Sequence, residues 1–178
     1  MVEYEDILKS CIKQKKQVSI ERAEIDDEPI AAIPVKASEQ LLLLHYLYDF
    51  YLDGFKVMRL ADITDIVRGD VEIFHDEIIF KEGMTDLLCT PDISIDSWKI
   101  FFDTISKEDR LIDISLEEMD DGTSFFVGKV SRAEQEFLEL VEIDALGNYH
   151  QQATRISYQD ITLVSFGNRY SELLDKYS

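Results

Sequence analysis

Residues 98–121, WKIFFDTISKEDRLIDISLEEMDD, lie over residues 4–27, YEDILKSCIKQKKQVSIERAEIDD, without a gap. At this offset of 94, Tyr4, Ile7, Leu8, Cys11, Val18, Ile20, Asp26 and Asp27 fall on Trp98, Phe101, Phe102, Ile105, Ile112, Ile114, Asp120 and Asp121. Apolar meets apolar, and acid meets acid. The second stretch then gains four residues, and at an offset of 98 Asp62-Ile63-Thr64 meets Asp160-Ile161-Thr162 while Gly69 meets Gly167. No single match is specific, but a shared order over about 65 residues with one net insertion points to an internal duplication.

Each copy reads as a helix followed by strands. Tyr4, Ile7, Leu8 and Cys11 recur at helical spacing, as do Trp98, Phe101, Phe102 and Ile105, so each helix carries one narrow apolar stripe. Beyond it Val18 and Ile20, or Ile112, Ile114 and Leu116, alternate with polar residues and stop at acidic turns. Second strands are expected at 30–35 and 125–130, third at 41–48 and 137–143, fourth at 57–60 and 153–156, and fifth at 63–67 and 161–166, with Gly54 and Gly147 in the turns before the fourth. Tyr170, Leu173, Leu174 and Tyr177 predict a closing amphipathic helix. After Gly69 a helix competes with a strand, because Ile78-Ile79-Phe80 is β-branched and aromatic. Residues 83–95 hold the Gly, Thr, Pro and Asp of a connection, which divides the chain into 1–82 and 96–178.

A helix leading into five short antiparallel strands resembles the SH3-like, and more narrowly the Sm-like, small barrel. Residues 53–66, DGFKVMRLADITDI, are similar to the strand four and five region of bacterial Sm-like proteins, and Phe166-Gly167-Asn168-Arg169-Tyr170 followed by Leu173-Leu174 to their closing segment. The resemblance implies an α+β, mainly β fold of two tandem small barrels, each preceded by a helix, with a C-terminal helix. Sm proteins bind RNA through basic and polar loops. Here those loops carry Asp26-Asp27-Glu28, Asp49, Asp53 and Asp120-Asp121, so RNA binding does not carry over, and a shared small barrel by itself assigns no function.

Charge points the same way. The 178 residues include 37 acids and 18 bases, a formal charge of −19, spread evenly as −9 over residues 1–89 and −10 over 90–178. The only basic run, Lys13-Gln14-Lys15-Lys16, suits a helix C-terminus, and a field of this sign repels nucleic acid and anionic lipid. Apolar residues make up 46% of the chain, enough for a core. Leu41-Leu42-Leu43-Leu44 falls far short of the ~20 residues that span a bilayer, and the N-terminal residues are acidic where a secretory signal is basic, so the expectation is a cytoplasmic protein without a membrane helix. Cys11 and Cys89 make no disulfide framework.

Candidate chemistry is sparse. His45, His75 and His150 lack metal-ligand spacing, the acidic clusters lack the EF-hand pattern, no G-x-S-x-G occurs, and the glycines are isolated. No catalytic, cofactor or metal residue is assigned. Arg59 with Asp62, and Arg155 with Asp160, hold similar places in the two copies, and the reading is an Asp accepting backbone N–H groups beside a solvated Arg. The expected function is therefore a non-enzymatic acidic interaction module that binds a protein partner with a basic surface. Asp26, Asp27, Asp120 and Asp121 form its steering face. The competing readings are a small-molecule enzyme with a site between the repeats, and an acidic inhibitor or immunity-type protein.

Overall fold

The computed structural model describes residues 5–118 and 122–178. The first half comprises α1 (Glu5–Gln14), β1 (Val18–Arg22), β2 (Asp26–Ala37), β3 (Leu41–Tyr48), β4 (Tyr51–Arg59), β5 (Asp65–Val67) and α2 (Asp70–Lys81). The second comprises α3 (Trp98–Ile105), β6 (Ile112–Glu118), β7 (Gly122–Ala133), β8 (Phe137–Glu142), β9 (Thr154–Ser157), β10 (Leu163–Phe166) and α4 (Arg169–Tyr177). Helix, five strands, helix thus occurs twice. The protein is α+β and mostly β, with all ten strands in one antiparallel sheet ordered β5-β1-β2-β3-β4-β10-β6-β7-β8-β9.

Strand registers agree between the halves. Val18 opposite Ala32 corresponds to Ile112 opposite Gly128, Glu21 opposite Asp65 to Ser115 opposite Leu163, and Leu41 opposite Arg59 to Phe137 opposite Ser157. The register slips between Pro34 and Lys36 in β2, and between Val130 and Arg132 in β7, at positions 96 residues apart. A bulge bends its strand and sharpens the twist, so both halves curl at the same place.

The sheet is not closed. A separate small barrel would pair β4 with β5; here β4 pairs with β10, with Phe55 opposite Phe166 and Val57 opposite Val164. Gly54 permits this approach: it lies within β4 rather than in the expected turn, has φ of +72°, and a Cβ there would stand 2.5 Å from Asn168 N and Phe166 O. The preceding turn is instead Asp49-Phe50, which extends β4 back to Tyr51. Residues 70–81 are helical, since Gly69 caps a segment whose burial follows helical spacing.

Continuing the sheet through β4 and β10 makes the cores share residues. The larger core gathers Trp98, Phe101, Phe102, Ile105, Ile112, Ile114, Leu138, Leu140 and Ile156, together with Leu41, Leu43, Phe55 and Val57 from the first half. A second core collects Leu8, Cys11, Val18, Ile20, Ile30, Leu42, Leu44 and Met58, and takes Leu163 from β10. Residues 83–95 are tied down at both ends: Met84 and Leu88 pack on the cluster of Ile33, Leu47 and Ile79, and Ile93 and Ile95 are buried in the larger core. No described helix is long and apolar enough to cross a membrane. Tyr4 lies outside the described residues.

Candidate functional site

Helix α2 buries two acids and exposes several apolar side chains. Its buried side chains are Glu72, Asp76 and Ile79, while Val71, Ile73, Phe74 and Phe80 stand 59%, 49%, 60% and 72% exposed. A surface helix ordinarily turns its apolar stripe inward and its charges to water. Here polar partners hold the acids. Glu72 accepts from the Ser19 hydroxyl at 2.7 Å and from the Gly69 N–H at 2.8 Å. Burial raises its pKa, and these hydrogen bonds outweigh it and leave the carboxyl below its ordinary value. Asp76 accepts from the Gln17 N–H at 2.9 Å and from Arg68 Nη2 at 2.6 Å, while Arg68 Nη1 donates to Gln17 O at 2.6 Å. These buried contacts orient the helix and leave Phe74 and Phe80 in water.

The neighbouring β3–β4 turn extends that surface. Asp49 and Phe50 have φ of +44° and +66°, the left-handed pair of a two-residue hairpin turn. The position suits Gly or Asn, and a phenylalanine there is strained by about 1–2 kcal/mol. The Phe50 ring stands edge-on to His75 at 4.9 Å, and the Phe74 ring lies 6.4 Å from the same imidazole. Tyr48 and Tyr51, on either side of the turn, are exposed. Phe50 and Phe74 therefore meet at His75, and Asp49, Asp70 and Glu77 on the same two elements are exposed, with Glu77 3.2 Å from Lys81 Nζ.

Of the four acids chosen from the sequence, two lie among the described residues. Asp26 is half-exposed, with Oδ2 3.8 Å from Arg22 Nη2 and Oδ1 accepting the Glu28 N–H at 3.0 Å. Asp27 is exposed, and Asp120 and Asp121 lie outside the described residues. Asp26 borders a buried ion pair: Arg22, 2% exposed, donates from Nη1 and Nη2 to Glu117 at 2.6 and 3.1 Å, and the Thr162 hydroxyl donates to Glu117 at 2.7 Å. This pair joins β1 to β6 across the curl of the sheet. Strand alternation alone marks Arg22, which shares the inward face of Val18 and Ile20.

The repeated Arg–Asp pairs also diverge. Arg59 is not a solvated strand residue, because Nε donates to Asp62 at 2.7 Å and Nη1 to Gln159 O at 2.7 Å. Arg155 instead lies 3.8 Å over the Phe137 ring, with Glu139 at 3.8 Å. His45 is buried beside the exposed Cys89, its Nε2 3.2 Å from Cys89 O and 3.9 Å from Sγ. Burial lowers the His45 pKa, so the ring is neutral and pins residues 88–90 to β3.

No family model, no curated protein and no solved structure matches the chain.

Proposed function

We propose that the chain is a non-enzymatic acidic interaction module of two tandem Sm-like small-barrel units, opened and joined through strand four of one and strand five of the other, and that it binds a protein partner. The matching strand orders and registers support the tandem reading. Helix α2 carries the functional reading: a helix that buries two carboxylates and presents phenylalanines to water bears a surface suited to being covered. The partner that fits offers both apolar and basic groups, matching Phe50 and Phe74 and the exposed acids Asp49, Asp70 and Glu77 of the same two elements. Asp27, exposed on β2, adds to the long-range field that steers such a partner.

Capture from native cell extract by the full chain, set beside capture by a Phe50→Ser/Phe74→Ser variant, tests this. The expected result is one discrete partner held by the parent chain and lost by the variant, with an unchanged thermal melt. Equal capture by both chains rules out this face, and capture of no protein at all rules out the module.

A further inference from the structure

Where the two halves meet, Lys56 on β4, Ser165 on β10 and Asp113 on β6 stand directly opposite one another on adjacent strands and face the same side. Together with Tyr46, Asp53, Phe125, Asn168 and Tyr170 they line a cleft of about 420 Å³. That volume lies in the range of small-molecule sites.

The two carboxylates are already used. Asp113 accepts from Ser171 Oγ at 2.7 Å and from the Asn168 amide, and Asp53 accepts the Arg169 N–H at 2.9 Å, so both secure the start of α4. Lys56 is not. Its ammonium rests 4.0 Å over the Tyr46 ring, and among the described residues it makes no hydrogen bond and has no carboxylate within 4.0 Å. Contact with a ring face leaves the N–H donors on the other side free. Burial disfavours the charged amine and pushes its pKa down, the condition that an arriving anion would relieve. Phe125 and Tyr170, 57% and 55% exposed, supply flat apolar walls.

We infer that this cleft binds a small aromatic carboxylate, with the carboxylate on Lys56 Nζ and the ring against Tyr170 and Phe125. With Asp53 and Asp113 beside the one ammonium, a monoanion meets less repulsion than a dianion, so a carboxylate is favoured over a phosphate. The site is independent of the aromatic face on α2.

Amide chemical shifts of the full chain titrated with benzoate, benzyl alcohol and phenyl phosphate test the inference. Benzoate should shift Lys56, Ser165 and Asn168 saturably, at least tenfold more tightly than the other two probes. Lys56→Met should weaken benzoate at least tenfold, and Tyr170→Ser, at an exposed position that spares the core, several-fold. Absent shifts, equal binding of benzyl alcohol, preference for phenyl phosphate, or undiminished binding by both variants would each overturn it.

Discussion

The outer face of β3–β4 and the corresponding face of β8–β9 share one backbone plan and meet opposite environments. Leu41, Leu43, Phe55 and Val57 on the first correspond to Phe137, Glu139, Ala153 and Arg155 on the second. The first set is buried within the larger core, which also holds side chains of α3 and β10. On the second, Arg155 is exposed and lies along Phe137, with Glu139 nearby. A fourth strand bearing Val57 can accept a neighbouring sheet on its edge and face, whereas one bearing Arg155 would have to desolvate a guanidinium to do so. The sheet therefore extends once, from β4 to β10, and ends at β9.

Single substitutions can break this contrast. Val57→Asp puts an unpaired carboxylate into the joint and should cost about 3–5 kcal/mol or prevent folding. Arg155→Asp, at the corresponding site, should cost about 1 kcal/mol or less through loss of its ring contact. Urea unfolding of both variants gives the ratio, and equal costs would show that the two faces are not distinct. Glu117→Ala, which strands Arg22 in the interior, is expected to cost about 3 kcal/mol, while Arg22→Met with Glu117→Leu should recover most of that loss. A double variant as unstable as the single one would mean that the ion pair itself holds the halves in place.

A smaller effect separates the halves by pH. Burial lowers the His45 pKa, so below the ordinary value of about 6.5 the unfolded chain binds a proton that the folded chain refuses. Stability should fall as pH drops through 6.5 toward the folded value, and His45→Gln should flatten that slope in melts between pH 7 and pH 5. The second half has no counterpart, since His150 is exposed. Smallest of all, Phe50→Gly should raise stability by about 0.5–1 kcal/mol by relieving a left-handed backbone. Because it also removes an exposed ring, it should weaken partner binding, and a gain in both would detach the strain from the binding face.

Local pattern made much of this fold legible. The stripes of α1 and α3, the alternation through β1 and β6, and the offset between copies all follow from period and order, which short-range sterics and burial dictate. The junction was less accessible. Gly54 reads as a turn glycine because positive φ is the commonest reason for glycine near a hairpin, and its contact with Asn168 depends on residues over a hundred positions away. Helix α2 was ambiguous for a related reason: Val71, Phe74 and Ile78 look like a core stripe, whereas Ser19, Gln17 and Arg68 provide the partners that bury Glu72 and Asp76 instead. The turn acids stand out in the sequence by charge alone. Arg22, alone among apolar neighbours on the inward side of β1, was the quieter and more informative signal.

The pairing of β4 with β10 also sets an order in time. Val57 meets Val164, 107 residues further along the chain, so during synthesis the apolar edge of β4 emerges long before its partner. At about 5–20 residues per second that interval is roughly 5–20 s. The first half cannot complete its own core until Leu163 arrives, and until then it presents an open strand to every other nascent chain nearby. Most of the chain must therefore be made before either half is finished, and an interruption of translation anywhere between them leaves a product with a sticky edge instead of a smaller stable protein.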